Sequence, residues 1–253
     1  MEMIFKEAEY QRMATELIYL EDTYKFTHTA QIEYLSSDER GQYCVLDRTI
    51  FYPQGGGQPS DTGFFEVKGI RLPISFVAFV EGEVRHYGDF AGASLERGDE
   101  VLLFVDEDRR ITNAKAHTSG HLLADVIESL DKGVIAVKGY HFPDGSYVEF
   151  QGNIPAEESE SLIAEANDRL SKILSSGGNI QSSLVMLEEL KTLCSNVPAN
   201  LPPDKPMRVV KMGDFQPTPC GGTHLKSLSE LNEVVVTKVK RQKGNTKISY
   251  RFS

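Results

Sequence analysis

Apolar and polar positions alternate in short runs through about the first hundred residues. Through much of the remainder they recur at intervals of three and four. In the first part, the segments 43–52, 74–80 and 101–105 are rich in β-branched and aromatic side chains. Turn-forming clusters separate them: Ser36-Ser37-Asp38, Gly55-Gly56-Gly57, Glu81-Gly82-Glu83 and Glu96-Arg97-Gly98-Asp99. Several short strands at this spacing predict a small β-barrel or sandwich.

The period changes after Asp106. Ala116, Leu123, Ile127 and Leu130 mark a helix from Asp108 onward, with Gly133 as its stop. A second helix opens at Pro155 and carries Glu157 and Glu158 in its first turn, where the helix dipole favours acids. Its apolar stripe is Leu162, Ala166, Leu170 and Ile173, and Gly177-Gly178 closes it. A third helix is expected over 184–193, capped by Ser182 or Ser183. Strand-like segments lie between the helices at 134–140, 147–150, 207–212, 234–239 and 247–252. The last two form a predicted hairpin around Lys243-Gly244-Asn245. The proline-rich stretch 198–206 reads as a rigid connector. Helices mixed with hairpin strands predict an α+β protein of two domains. A small β-barrel domain with a glycine-rich loop spans 1–107, and an α+β domain with an antiparallel sheet spans 108–253.

Of 253 residues, 27 are basic and 37 acidic, giving a formal charge of −10 with 40% apolar positions. That composition excludes disordered, collagen-like and coiled-coil chains, and the length favours two cores over one. No run approaches the roughly 20 apolar residues of a membrane helix. The first ten residues mix Glu2, Glu7 and Glu9 with Lys6 and lack the layout of a secretory signal. A cytoplasmic location is therefore expected, where Cys44, Cys194 and Cys220 are reduced thiols or metal ligands. The acidic average argues against a general nucleic-acid coat, but charge is uneven. From Lys226 onward, seven basic residues stand against two acidic ones.

Three groups carry candidate chemistry. In His117-Thr118-Ser119-Gly120-His121 a helix puts both imidazoles on one face, because four residues advance about 6 Å and turn about 400°. Thr118 stands where a zinc protease carries its glutamate base, so that chemistry is not implied. Pro219-Cys220-Gly221-Gly222-Thr223-His224 predicts a tight loop, with a helical turn from Thr223, on which a thiolate and an imidazole converge. Sulfur together with imidazole favours zinc over magnesium or calcium. Either pair alone reads equally as ordinary buried or loop residues. Two pairs of spacing four in one domain predict a shared zinc ion on His117, His121, Cys220 and His224. The third group is the loop 51–63, where Gly55, Gly56 and Gly57 uncover backbone N–H groups that suit a phosphate or a terminal ribose. The competing reading of that loop is a glycine-rich hairpin. Neither a P-loop nor a dinucleotide fingerprint is present, and no ATP requirement is expected.

These motifs, with Leu20-Glu21-Asp22, the stretch 106–123 and the basic ending, make the chain resemble the stand-alone alanyl-tRNA editing proteins. This AlaX family is similar to the editing domain of alanyl-tRNA synthetase, and the glycine-rich barrel loop resembles its medium-length type. The sequence Cys220-Gly-Gly-Thr-His224 is closer to the alanyl than to the threonyl version of the motif. The resemblance implies one Zn2+ per chain on the four residues above. It also implies hydrolysis of the ester joining a wrong amino acid, serine foremost and glycine second, to the 3′ end of tRNA(Ala). One position departs from the family pattern: Val137 stands where a Gln often precedes the Lys-Gly pair, here Lys138-Gly139, which bears on amino-acid recognition.

No Asp or Glu lies within either metal motif, so no general base is assigned. Water activation then falls to the metal or to the terminal hydroxyl of the tRNA. Gly55, Gly56, Gly57, Gln58, Thr118 and Thr223 are expected at the substrate, the last three as partners for a serine hydroxyl. Lys238, Lys240, Arg241 and Lys243 are expected phosphate contacts, against a reading as a solvated hairpin tip. The alternative function is a non-catalytic tRNA-binding protein whose zinc only staples the fold. His28, His86 and His141 read as surface or half-buried residues, and Cys44 and Cys194 as core thiols. The oligomeric state is not legible.

Overall fold

The structure, a computed structural model, describes residues 14–194, 197 and 205–253. Most of the proline-rich stretch 198–206 lies outside them. Six strands, β1 (Thr27–Asp38), β2 (Gly41–Leu46), β3 (Gly63–Val67), β4 (Ile70–Val80), β5 (Glu83–Gly88) and β6 (Glu100–Val105), close an antiparallel barrel. Their order is β1-β2-β5-β4-β3-β6, with β6 returning to β1. Alternate residues fill it: on β6, Val101, Leu103 and Val105 point in, joined by Ile32, Phe65 and Ile74.

The expected strands need correction in three places. β1 runs through Ser36-Ser37-Asp38, and the turn is Glu39-Arg40, with Asp38 opposite Gly41. The segment 43–52 is not one strand, because β2 ends at Leu46 and Arg48–Thr49 pairs separately with Glu16–Leu17. β5 is hidden in the sequence by polar residues that the barrel buries with partners. One is His86, expected near the surface but fully enclosed. Its Nε2 lies 2.8 Å from Thr49 Oγ1 and its Nδ1 3.1 Å from the Cys44 carbonyl. Cys44 is in the barrel core as expected.

The remainder is α+β. Helix α1 (Glu107–Glu128) starts where Asp106 accepts the Arg109 N–H at 3.1 Å. β7 (Ile135–Tyr140), β8 (Tyr147–Gln151) and α2 (Ser159–Ser176) follow. Next come β9 (Ile180–Val185), α3 (Leu187–Leu193), β10 (Met207–Met212), β11 (Val234–Gln242) and β12 (Asn245–Phe252). An antiparallel sheet of order β11-β12-β8-β7 lays one face on α1 and α2, where Leu123, Val126, Phe150, Leu162 and Ile248 form the second core. The β11–β12 hairpin turns at Lys243-Gly244, both at positive φ. Leu184 and Val185, expected in the third helix, belong to β9 and pair with β10, so α3 starts later. The helical turn expected from Thr223 is instead the 3-10 segment Leu228–Glu230, held by a capping box between Ser227 and Glu230. No helix among the described residues is long and apolar enough to cross a membrane.

One buried ion pair joins α1 to the barrel. Arg110 and Asp61 are both fully buried. The Arg110 Nε donates to both Asp61 oxygens at 3.0 Å, its Nη1 to the Thr23 carbonyl at 2.8 Å, and its Nη2 to Asp61 and the Ile50 carbonyl. Asp61 also accepts the Tyr52 N–H at 2.6 Å. Every polar atom of this pair has a fixed partner, so removing one side strands a charge. Asp61→Ala is expected to lower stability by about 3–5 kcal/mol, read as a shifted urea midpoint.

Candidate metal centre

The two predicted half-sites meet. On α1, the His117 and His121 rings lie 4.9 Å apart, centre to centre, one helical turn from each other. The loop after the two-residue strand Thr218–Pro219 is tied to β10. Cys220 N–H donates to the Arg208 carbonyl, and Arg208 Nη1 donates to the Cys220 and Gly222 carbonyls, all at 3.0 Å. That clamp sets Cys220 Sγ 3.6 Å from His117 Nε2 and 3.2 Å from His224 Nε2. One donor atom from each of His117, His121, Cys220 and His224 lies within 4.8 Å of the others. In an ideal tetrahedral zinc site, nitrogen and sulfur sit about 3.5 Å apart, so the donor set fits that ion. Gly222 is required by contact, since a Cβ there would sit 2.0 Å from His117 Cε1.

Buried partners hold two of the three rings, and for His117 they fix which nitrogen is free. The Gln58 Oε1 accepts from His117 Nδ1 at 2.7 Å and from Thr223 N at 3.1 Å, while its Nε2 donates to Thr223 Oγ1 at 2.8 Å. His117 Nδ1 therefore carries the proton and Nε2 presents its lone pair to the cluster. Thr118 Oγ1 lies 3.2 Å from His224 Nδ1 and holds that ring in place. Burial, then the neighbouring imidazoles and Arg208, hold His117 and His224 far below the usual histidine range. Burial brings His121 down to about 4. Neutral imidazole is the form a metal binds. Burial raises the Cys220 thiol, opposed by the Gly222 N–H and by Arg208.

The cluster opens on a cavity of about 570 Å³. Its walls are the barrel loop 52–56, the Gly120, His121 and Asp125 face of α1, the β7 residues Ala136 to Gly139, and the loop 216–222. His117, His121 and Cys220 line it, whereas His224 does not. Gly55 and Gly56 also line it. Gly57 (φ +80) instead seats the loop on β7, where a Cβ would meet the Gly139 carbonyl oxygen at 2.2 Å. Gln58, Thr118 and Thr223, expected as direct partners of a serine hydroxyl, are fully buried and absent from the cavity wall. Their polar atoms serve the imidazoles and the loop.

Two residues at the cavity escaped the sequence reading. His141, expected to be surface or half-buried, is buried, and its ring stacks on His117 at 4.5 Å and 23°. The Tyr250 hydroxyl donates to the Ala116 carbonyl at 2.7 Å, so His141 Nδ1, 2.7 Å from that oxygen, is the donor. Burial, then His121, pulls His141 down to about 3. Its sequence spacing to either motif gives no hint of this place. Asp125 does carry a signal, because it continues the step of four from His117 through His121 onto the same helix face. Burial and then Glu128 raise its carboxyl to about 8. Val137 is half-exposed in the cavity wall.

Of the expected phosphate contacts, Lys238 and Lys240 alternate with buried Val236 and half-buried Val239 on the outer side of the sheet, and Lys243 is in the hairpin turn. Arg241 is anchored through Nε to the Ile154 carbonyl at 2.7 Å.

Comparison with known proteins matches the two halves of this geometry separately. A family model described as tRNA synthetases class II (A) covers residues 3–109, and one described as threonyl and alanyl tRNA synthetase second additional domain covers 207–249. The alanyl-tRNA editing protein AlaX-M of Methanosarcina barkeri is 30% identical over 241 residues, 93% of this chain and 98% of the relative. The AlaX-M of Saccharolobus solfataricus is 30% identical over 245 residues, again 93% and 98%. The chain belongs to the alanyl-tRNA editing protein family. It is also 30% identical over 236 residues to the AlaX-L of Pyrococcus horikoshii, of which it spans 56%. Because Gln58 orients His117 without being a ligand, Gln58→Ala is expected to weaken metal binding about 10–100-fold with all four donors intact, measured by chelator competition.

Proposed function

We propose that the protein hydrolyses the ester linking a wrong amino acid to the 3′ end of tRNA(Ala), serine foremost and glycine second. One zinc ion per chain sits on His117, His121, Cys220 and His224. The observation that carries this reading is a four-donor cluster with three donors on a cavity wall, in a chain whose relatives are named for alanyl-tRNA editing. A zinc that only staples a fold is closed off by its ligands, so donors on a cavity wall favour catalysis over the structural alternative.

Zinc bound there supplies Lewis acidity toward an ester carbonyl or toward water. The chain's own residues position the reactants. Gln58 holds the His117 imidazole in one tautomer and Thr118 anchors the His224 ring, so the donor geometry needs no rearrangement when substrate arrives. The cavity is of small-molecule size, enough for an aminoacylated terminal nucleotide and far too small for a duplex. Gly55 and Gly56 present backbone at its rim for the terminal ribose. An aminoacyl ester is activated and its hydrolysis runs downhill, so no ATP is consumed. Serine is larger than alanine, so size alone does not spare the correct product. Rejecting alanine requires polar groups that only the serine hydroxyl satisfies, which is worth up to roughly 10⁴ in rate.

In this reading the barrel domain, 1–107, supplies the rim, and the domain 108–253 supplies the chemistry in the cytoplasm. The outer face of the sheet is the RNA track. Register places Lys240, Lys247, Glu149 and Lys138 in one row and Lys238, Ser249, Tyr147 and Tyr140 in the next. Lys138 also borders the cavity, so this basic face is continuous with its mouth. Arg241 and Lys243 extend the positive charge to the hairpin tip.

Parallel incubation with Ser-, Gly- and Ala-tRNA(Ala) should release serine fastest, glycine more slowly and alanine least; equal persistence of all three defeats the hydrolase reading. Replacing Lys238 and Lys240 together by Ala should flatten the dependence of log affinity on log salt by about 1.4–1.8 for tRNA(Ala), measured by filter binding.

A further inference from the structure

The cavity wall carries a carboxyl group that neither the metal cluster nor the fold uses. Asp125 follows His121 by one turn of α1 and lines the cavity beside it. It is not among the four clustered donors. No hydrogen bond or ion pair from a described residue reaches its carboxylate, and the influences on it are burial and the charge of Glu128. Glu128, the other acid on that wall, is engaged, since its Oε1 accepts the Ala136 N–H at 2.7 Å. The neighbouring wall is apolar, with Ala124, Ala136, Val137 and Val148. A half-buried carboxyl among such residues, with no partner of its own, is held toward its protonated form by burial and by Glu128, and a cation set against it offsets both and restores the carboxylate. Apart from the Asp61–Arg110 pair, the exposed surface ion pairs of this molecule show how readily its acids otherwise find cations.

We propose that the Asp125 carboxylate is the seat for the α-ammonium group of the aminoacyl ester, one helical turn from the metal cluster that receives the ester carbonyl. This rests on the cavity being the aminoacyl-ester site. In any α-amino ester the nitrogen lies about 2.5 Å from the carbonyl carbon, so the groups that hold the two must share one cavity, as Asp125 and three of the cluster donors do. The anchor is blind to the side chain, because serine, glycine and alanine all carry the same ammonium. Its consequence is orientation of the carbonyl and a preference for free amines. An ester whose amine is acylated, as in a peptidyl ester, has no cation to offer and leaves the carboxylate desolvated and unpaired. Asp125 thereby restricts hydrolysis to amino acids not yet built into peptides.

The test compares Ser-tRNA(Ala) with N-acetyl-Ser-tRNA(Ala) on the zinc-loaded full chain. For the wild type, kcat/KM for the free amine should exceed that for the acetylated ester by about 10–100-fold. In Asp125→Asn that ratio should fall to near one, and Asp125→Glu should recover part of it. Zinc content and thermal midpoint, measured alongside, should match the wild type, which separates lost anchoring from lost fold. A ratio unchanged in Asp125→Asn, with zinc bound and the fold intact, overturns the proposal. If Asp125→Asn fails to fold, a wild-type ratio near one overturns it equally. A wild type inert toward both esters refutes the hydrolase reading itself, and the anchor falls with it.

Discussion

A single buried amide sets the geometry on which the metal centre depends. The Gln58 carbonyl receives the His117 ring N–H and the Thr223 backbone N–H, and its NH₂ group donates to the Thr223 hydroxyl. It thus joins a barrel loop, a helix and the cysteine loop, which are remote in the chain. Its own position is fixed on both sides. Gly57 lies against the β7 backbone and gives its carbonyl to the His141 N–H at 2.8 Å, and Asp61 is locked to Arg110. The barrel is therefore part of the site's rigidity. Without it, His117 has no group to hold its proton on Nδ1, and its lone pair is free to turn away from the thiol.

The four clustered donors were legible because each pair is local. His117 and His121 need only helical periodicity, and Cys220 and His224 need only a loop made tight by glycines. The sheet strands after residue 133 were legible for a similar reason, since one face is buried and the other solvated, although a bulge between Val236 and Lys238 interrupts the alternation in Val234–Gln242. Reading failed where tertiary packing decides. β5 carries a buried histidine on its barrel face and a buried glutamate on the other, which breaks the apolar period, and both have partners that only the closed sheet supplies. Gln58, Thr118 and Thr223 were located correctly near the chemistry, but sequence does not say whether a polar atom faces a ligand or a neighbour. Here it faces a neighbour. His141 is on the site because Gly120 and Gly139 leave room for its ring, a contact between residues apart in sequence and unlinked by any pattern. Asp125 was readable in principle, as the third step of a helical series whose first two steps were used.

Burying several histidines together ordinarily destabilises a fold, because each ring nitrogen needs a partner. This site resolves the problem asymmetrically. The Nδ1 atoms of His117, His141 and His224 are paired with Gln58, Tyr250 and Thr118. The Nε2 atoms of His117 and His224 converge on the Cys220 sulfur. The same burial that costs solvation keeps the rings neutral, which is the form in which this donor cluster could hold a metal ion. The Asp125 carboxyl stands one turn of α1 from that cluster, in a partly apolar pocket where electrostatic interactions are stronger than in water. An α-amino ester pairs an electron-rich carbonyl oxygen with an ammonium. On the proposed reading, a metal at the cluster and the carboxyl ionised by that ammonium orient the ester end to end before any side chain is read, and choosing serine over alanine is left to the polar groups around the side chain.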